Sequence, residues 1–411
     1  MRRKLLSPVA TFILTLMLLV LSTLPISCSP SNFSSIPTTT TTISNPSPNK
    51  PRSAQAPPFS GGVGSSPRGL FLNTANLPTQ DWSRIEKFIL NDPTVSGTNI
   101  VVPWSTVDLG VNASLQYDWS YVYQQAQPWI DAGKTVNLLL WGVAQKAEQE
   151  INGQSITPAY VLEETETVSC QCKVGGECES NPPQTPVFWD EDYQKHYRKV
   201  IKAAVAEFSD RPWVGYFRFG IGVGAESYPG NGVSYAKNPC TQIWEQPPIN
   251  LSETVWRNHS LDFLDFLSTI ETPKTILVTI NNYGKSHDIA KEMAAYAAKK
   301  GFGIGTQGLT KNAIALYNKG KDCYADWCDL FLQYDPKVPL EVQTAAQSNP
   351  AEKGRVGPLP PLLDFGLAKG VDIFELYQAE WFVANDPNHH LHKKYGKSYR
   401  QALEKAAAAL K

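Results

Sequence analysis

Basic runs beyond residues 2–4 and an excess of charge are both missing from this 411-residue sequence. Asp, Glu, Lys and Arg make up 18% of it, and the formal net charge is −1. Nucleic-acid-binding proteins cluster Lys and Arg on one face, so the composition argues against a nucleic-acid partner. The sequence also lacks a P-loop and a Ser-His-Asp pattern, which are signatures of NTPases and serine hydrolases. Apolar residues make up 42%, which is enough for a folded core.

The N-terminus carries an apolar run, Thr11–Leu21, behind the basic segment 2–4. This layout predicts a secretory signal peptide, because the run is shorter than the about 20 residues that span a bilayer. Ser27 directly before Cys28 resembles a bacterial lipoprotein processing site. We therefore expect 1–28 to be an export signal, with Cys28 lipidated and the chain attached to a membrane surface. Plain secretion and an uncleaved anchor are the alternatives.

The segment 29–66 has little that could form a core. It is rich in Ser, Thr, Pro and Asn and includes five consecutive Thr residues at 38–42. Such a segment cannot bury enough apolar surface to offset its chain entropy. We interpret it as a flexible tether that spaces the folded domain, 67–411, from a membrane or cell wall.

Beyond Cys28, the cysteines are Cys170, Cys172, Cys178, Cys240, Cys323 and Cys328. An even number of cysteines in an exported chain predicts disulfides. We expect three bridges, with Cys323 and Cys328 paired locally and the other pairings open. A zinc site at the first three residues is the alternative. Their C-x-C-x5-C spacing has no C-x-x-C and no nearby His, so we expect neither a metal nor a cofactor.

From residue 67 onward, short apolar runs alternate with amphipathic stretches eight times. The predicted strands are Gly69–Thr74, Asn99–Pro103, Thr135–Trp141, Val214–Ile221, Thr275–Ile280, Gly303–Thr306, Pro339–Thr344 and Asp372–Tyr377. Strands that alternate with helices indicate βαβ units and a parallel sheet. Eight units predict an α/β fold, the (β/α)8 TIM barrel. An open doubly wound sheet is the alternative, but no glycine-rich phosphate turn follows the first strand.

Two long segments interrupt the regular spacing. The segment 146–189, after the third strand, holds three cysteines, and 228–256, after the fourth, holds Cys240. We predict that both are disulfide-pinned insertions on the upper face of the barrel. A bridge from one to the other would rigidify the rim.

Acidic residues occur at or near the predicted carboxyl ends of strands, where barrel active sites lie. Glu226 follows the glycine-rich end of the fourth strand. Glu341 lies on the seventh strand, on the same side as Gln343, and Glu375 lies on the eighth. A carboxyl pair on strands 4 and 7 suits glycoside hydrolysis, in which one carboxyl protonates the leaving oxygen and the other attacks the sugar.

The order of several segments resembles the clan A retaining glycoside hydrolases with a 4/7 barrel, of β-galactosidase-like or cellulase-like type, over roughly 68–385. The segments are Asn99–Trp104, Tyr117–Trp119, Ile130–Val136, Asp210–Val214 with the approach to Glu226, and the seventh strand with Glu341. The resemblance implies that Glu226 is the acid/base and Glu341 the nucleophile. It also implies that Trp381 lies under the sugar.

We expect further contacts to an oligo- or polysaccharide substrate from side chains near strand ends. The candidates are Trp104, Trp141, Arg218, Asn282, Tyr283, Gln343, Glu375 and Trp381. Each has a structural alternative. Any of the Trp residues could pack in the core, Glu226 could cap a helix, and Glu341 could form a structural ion pair with Arg218.

The sequence departs from the clan pattern at two positions. Ala225 precedes Glu226 where many members have Asn, and Thr306 and Gln307 stand where a Tyr is common. The run Gly222–Pro229 also resembles the acid segment of β-amylases, which invert. The leading hypothesis is a secreted or surface-tethered retaining hydrolase of O-glycosidic bonds. An inactive carbohydrate-binding barrel and an inverting hydrolase are the alternatives.

Overall fold

The computed structural model describes residues 67–74, 82–143, 155–170, 172, 178, 180, 182, 184–230, 233, 238–284, 287–319, 333–350 and 356–411. The predicted signal peptide and tether, with Cys28, lie outside these residues, as does the predicted pair Cys323 and Cys328. Among the helices that are described, none has the length and apolar character needed to cross a membrane.

Eight parallel strands close into a barrel in which each strand pairs with the next along the chain and the last pairs with the first. The strands are β1 (Gly69–Asn73), β2 (Gly97–Pro103), β3 (Thr135–Trp141), β4 (Val214–Phe219), β5 (Thr275–Thr279), β6 (Gly303–Leu309), β7 (Leu340–Thr344) and β8 (Ile373–Leu376). The (β/α)8 prediction is confirmed, and the closed order excludes the open doubly wound sheet.

Three predicted strand bounds are wrong by two residues or more. β2 begins at Gly97 and not at Asn99. β4 ends at Phe219 because the chain turns at Gly220, where a Cβ would come within 2.6 Å of Ala225 Cα. β6 runs on to Leu309, which pairs with Thr344 of β7 after a break in register.

Helices cover the outside of the barrel. The α-helices are Trp82–Ile85, Trp104–Val107, Ser120–Asp131, Ala159–Glu164, Glu191–Phe208, Pro239–Glu245, Glu253–Ser268, Asp288–Lys299, Lys311–Tyr317, Leu359–Ala368, Gln378–Asn385 and His392–Ala409, with a π-turn at Glu86–Leu90 and a 3-10 turn at Val223–Ala225. The helix after the first insertion shows why they form. Asp190 caps it by accepting from the N–H groups of Asp192 and Tyr193, which otherwise lack intrahelical partners.

Buried apolar side chains form two groups. The larger, called here the helix layer, lies between strands and helices and includes Trp104, Tyr197, Phe263 and Trp381. The smaller lies in the barrel interior and is made of Phe71, Leu139, Trp141, Ile156, Tyr216, Ala225, Leu277 and Ile373. The interior group is small because polar residues occupy much of the remaining space.

Disulfides pin the two insertions. Cys170 of the first insertion is bonded to Cys240 of the second, and Cys172 is bonded to Cys178 within the first. The prediction of disulfide-pinned insertions after β3 and β4 is therefore confirmed, including a bridge between them. The first insertion also contains a short antiparallel pair, Thr167–Val168 with Thr185–Pro186, which we did not predict.

Candidate active site

Three asparagines lie in register on the first three strands of the barrel interior. Asn73 pairs with Asn99, and Asn99 pairs with Asn137. Asn137 Nδ2 donates to Asn99 Oδ1 over 2.8 Å, and the Tyr216 hydroxyl contacts the same oxygen at 3.1 Å. The Tyr216 hydroxyl also donates to Glu375 Oε1 over 2.6 Å. Tyr216 thus links this row of amides to the carboxylate of Glu375.

An ion pair crosses the interior between β4 and β8. Arg218 Nη1 donates to Glu375 Oε1 over 2.8 Å, and the two side chains are 1% and 0% exposed. We considered Glu341 as a structural ion-pair partner for Arg218, but the structure gives Glu375 that place. Charges so fully removed from water are tolerated only when they are paired or hydrogen-bonded, and Glu375 receives both the guanidinium and the Tyr216 hydroxyl.

Glu341 lies in the same interior with a different environment. Its side chain is 0% exposed, and within the described residues neither carboxyl oxygen accepts a hydrogen bond from another side chain. It lies over Gly305 of β6, where a Cβ would overlap Glu341 Oε2. Burial raises the pKa of Glu341 well above its usual value, and Glu375 raises it further, while Arg218 and the backbone of Thr306 oppose both. Glu226 also raises this pKa, because a nearby negative charge disfavours ionisation of Glu341.

Glu226 lies at the mouth of the barrel on a strained turn after β4. Gly224 and Ala225 have φ values of 62° and 56°, a region that residues with a Cβ enter at a cost. The turn is closed by Gly222 N–H, which donates to the Glu226 carbonyl over 2.8 Å. The Glu226 side chain is half-buried.

Two amides hold the Glu226 carboxylate. Asn281, two residues beyond β5, donates through Nδ2 to Glu226 Oε2 over 3.1 Å. Gln307, near the end of β6, contacts both Glu226 oxygens when its NH2 group faces them, and its own oxygen then accepts from Arg218 Nη2 at 3.2 Å. The orientation of such an amide is assigned from its partners, and only this one satisfies both neighbours.

His259 supports the turn from behind. Its Nε2 is 2.9 Å from the Ile221 carbonyl oxygen, and its ring contacts Phe188, Trp256 and Phe263. Burial lowers the pKa of His259 to about 4. The imidazole is therefore neutral near pH 7, and its Nε2 carries the hydrogen that the carbonyl oxygen accepts.

Two predicted sugar contacts are wrong. Trp104 and Trp381 are both 0% exposed in the helix layer. Trp104 Nε1 donates to Asp108 over 2.8 Å, and Trp381 Nε1 donates to Thr94, ahead of β2, over 3.1 Å. Both indoles have satisfied N–H groups and pack in the core, which was the alternative to sugar binding.

Other predicted contacts lie near the carboxyl ends of their strands. Trp141 ends β3, and Asn282 and Tyr283 follow β5. Within the described residues, the Trp141 indole nitrogen, Asn282 Oδ1 and the Tyr283 hydroxyl oxygen are buried and without a hydrogen-bond partner. Gln343 of β7 donates to the Tyr377 hydroxyl over 3.2 Å. The first three groups therefore have hydrogen-bonding capacity to offer a ligand.

Sequence reasoning missed Asn281 and Gln307 as partners of Glu226. It also missed Tyr216, Asn99 and Asn137 as members of the interior network. Their position in the sequence could have identified two of them. Asn281 and Gln307 lie near the carboxyl ends of strands, where barrel sites are built.

Comparison with known proteins supports the fold. No family model and no curated protein matches the chain. Among solved structures, it is similar to the catalytic domain of β-amylase from Paenibacillus polymyxa, with 12% identity over 82% of this chain and 98% of that chain and a TM-score of 0.55.

The chain is also similar to β-galactosidases from Halorubrum lacusprofundi and Rahnella sp. R3, with 8% and 12% identity over 83% and 84% of this chain and TM-scores of 0.49. It spans 57% of the length of each of these two. These structural neighbours are glycoside hydrolases. At such identities, the likeness to the β-amylase domain establishes a shared barrel fold.

Proposed function

We propose that this protein is an exported glycoside hydrolase that cleaves O-glycosidic bonds of an oligo- or polysaccharide by retaining double displacement. The observation that carries the proposal is Glu226, a half-buried carboxylate at the mouth that Asn281 and Gln307 hold, together with the buried carboxyl of Glu341. The buried Arg218–Glu375 pair lies beside it. Barrel interiors of this fold are usually filled with branched apolar side chains. Keeping an ion pair and the carboxyl of Glu341 there is costly, which supports a catalytic task for them.

In the proposed mechanism, Glu226 protonates the glycosidic oxygen while a carboxylate oxygen of Glu341 bonds to the anomeric carbon and the bond to the leaving group breaks. Glu226 then takes a proton from water as that water displaces Glu341. Retention requires the two carboxyls to be about 5–5.5 Å apart. Arg218 stabilises negative charge on Glu341. The unpartnered polar atoms of Asn282 and Tyr283 would bind sugar hydroxyls.

The direct test is the anomer of the first-formed product, followed by proton NMR on a panel of aryl glycosides. We expect retention. Glu226→Gln should lower the rate on natural substrate by about 10²–10⁴-fold, the usual contribution of a general acid. Glu226→Ala should still form the glycosyl-enzyme on substrates with good leaving groups, and azide should rescue the second step. Glu341→Gln should be inactive on every substrate.

Two outcomes would contradict parts of the proposal. Wild-type rates in both the Glu226 and the Glu341 variants would remove these residues from catalysis. Inversion at the anomeric carbon would favour the single-displacement mechanism of β-amylases, which the resemblance of Gly222–Pro229 to their acid segment already suggests.

A second candidate is a carbohydrate-binding barrel without catalysis, acting as a surface sugar receptor. The complete burial of Glu341 favours it, because a nucleophile has to meet the anomeric carbon. Calorimetric titration with the same glycans separates the two candidates. Binding without turnover by the wild-type chain would support the receptor.

The proposed location is the cell surface, through lipid on Cys28. Labelling with a fatty acid should mark the wild-type chain and not a Cys28→Ala variant. Equal labelling of the two chains would contradict lipidation, and release of the variant into the medium would still support export.

A further inference from the structure

The orientation of the Gln307 amide is determined by its neighbours. A guanidinium can only donate hydrogen bonds, so the oxygen of Gln307 has to face Arg218 Nη2, at 3.2 Å. The NH2 group then faces the carboxylate of Glu226. Arg218 is itself fixed by its bond to Glu375. The donor that Gln307 presents to Glu226 cannot turn away without breaking the contact with Arg218.

Asn281 is constrained in the same way from another strand. Its Oδ1 accepts from the backbone N–H of Ser227 over 2.9 Å, which leaves only Nδ2 for Glu226 Oε2, at 3.1 Å. Ser227 is the next residue after Glu226, and its hydroxyl donates to the Thr279 carbonyl. Glu226 therefore faces two oriented amide donors. Hydrogen bonds of this kind favour the ionised form of a carboxyl group.

Glu341 faces no oriented side-chain amide, and the backbone of Thr306 is the hydrogen-bonding group that lowers its pKa. The charged and titratable groups around it are Arg218 of β4, Glu375 of β8, Glu226 at the mouth, and Tyr216, whose own pKa Glu341 raises. Arg218 is the cation of this set, and its two terminal nitrogens are engaged by Glu375 and Gln307. Burial and two nearby carboxyls all favour the neutral form of Glu341.

Building on the proposed function, we propose that Gln307 and Asn281 hold Glu226 as the ionised member of the catalytic pair, so that the resting site carries its proton on Glu341. The reactive form is then the less populated one, in which Glu226 holds the proton and Glu341 is ionised. To reach it, Glu341 releases a proton and Glu226 takes one up from water at the mouth. Gln307 and Asn281 are positioning residues that set how often this form occurs.

This order of protonation reverses which residue causes each of the two limbs in the pH profile of kcat/KM. If Glu226 titrates first as the pH rises, the acid limb of kcat/KM belongs to Glu226 and the alkaline limb to Glu341. In the ordinary order, the acid limb belongs to the nucleophile. Gln307→Met removes one donor from Glu226 at nearly constant side-chain volume. It should therefore move the acid limb upward and leave the alkaline limb in place.

The expected shift is about one to two pH units, from the strength of one hydrogen bond to a charged group. Asn281→Leu should move the same limb in the same direction. Gln127→Met, the same chemical change on the exposed outer helix Ser120–Asp131, should move neither limb. A shift of the alkaline limb in Gln307→Met would overturn the inference, because Glu226 would then titrate last.

A readout without turnover keeps the inference separate from the proposed function. The side-chain carboxyl carbons of the full chain can be labelled with carbon-13 in Glu, and Glu226→Gln and Glu341→Gln assign the two signals. Glu226 should titrate at lower pH than Glu341 in the wild type, and its midpoint should rise in Gln307→Met. The opposite order would overturn the inference even in an active enzyme. An inert wild type with the expected order would instead contradict the hydrolase.

Discussion

The barrel interior and the helix layer are both shielded from water, but different side chains fill them. The helix layer behind β4 is aromatic, with the rings of Phe188, Trp189, Trp256 and Phe263 around His259. Even that histidine is neutral, since burial lowers its pKa to about 4. The interior holds Arg218, Glu341 and Glu375 instead.

This difference separates stability from function. Apolar packing is favourable without any specific partner, so the helix layer can hold the fold together on its own. A buried ion pair often contributes nothing compared with apolar residues of the same volume. The interior charges are therefore best explained by the chemistry proposed for the mouth. The loss of unfolding free energy caused by a substitution should therefore depend on pH in the barrel interior and not in the helix layer.

The largest effect on stability is expected from Arg218→Met. The change leaves Glu375 and Glu341 buried together without a cation. We expect a loss of about 3–5 kcal/mol in the free energy of unfolding at neutral pH, the usual result of breaking a buried pair. Urea unfolding measures it. The loss should shrink at acid pH, because protonated carboxyls no longer need the guanidinium.

Two controls sharpen this comparison. Adding Glu375→Gln to Arg218→Met removes the stranded charge and should restore much of the lost stability. Phe263→Ala in the helix layer should also cost about 3–5 kcal/mol, but equally at acid and neutral pH. A loss in Arg218→Met that does not change with pH would contradict the distinction between the two regions.

The two disulfides of the rim should differ in how much they stabilise the fold. Cys170–Cys240 closes a segment with a sequence separation of 70, and Cys172–Cys178 one of 6. On the chain-entropy account, removing the first should cost about 4 kcal/mol and removing the second about 2 kcal/mol.

Thermal unfolding of two double Cys→Ala variants, one for each bridge, measures which loss destabilises the chain more. Loss of the Cys170–Cys240 bridge should also weaken glycan binding more than loss of the other, because it frees one insertion from the other. Equal destabilisation by the two variants would contradict the entropic explanation.

The fold could be predicted from sequence because every strand of a closed parallel barrel is buried on both faces and reads as an apolar run. β3 was predicted with its observed bounds, Thr135–Trp141. β4 was predicted too long, since the residues beyond Phe219 remain apolar although Gly220 turns away. An apolar pattern does not reveal a turn that depends on close backbone approach.

The site was less predictable than the fold. The prediction could pick out Glu226 from its position after a strand. Its partners Asn281 and Gln307 come from β5 and β6, and only the closed barrel brings them together. The indoles of Trp104 and Trp381 show the opposite error. A Trp near a strand end can face the mouth or the helix layer, and the sequence does not distinguish the two.

Glu380 is the exception to the comparison, because it is a carboxyl buried in the helix layer. Its side chain is 0% exposed, and Oε1 accepts from the Ser348 N–H over 2.7 Å. Ser348 is linked in turn to the Tyr399 hydroxyl, at 2.9 Å. Burial raises the pKa of Glu380 to about 7, and the Ser348 N–H only partly opposes this. A neutral carboxylic acid therefore fits the apolar layer where an ion would not.

The expected consequence is a loss of stability as the pH rises. The folded chain binds the Glu380 proton more tightly than the unfolded chain, whose Glu titrates near 4.5. The contribution of this group is therefore complete below about pH 4.5 and is lost as the pH rises to about 7. The total is about 3 kcal/mol, at about 1.4 kcal/mol per pKa unit.

Glu380→Gln keeps the shape and removes the titration, so the unfolding free energy of the variant should rise relative to that of the wild type across this window. Urea unfolding of both chains at pH 5 and pH 8 measures the difference, in which the contributions of other groups cancel. Parallel pH dependences would mean that Glu380 is already ionised in the folded chain and that the helix layer tolerates a charge as the barrel interior does.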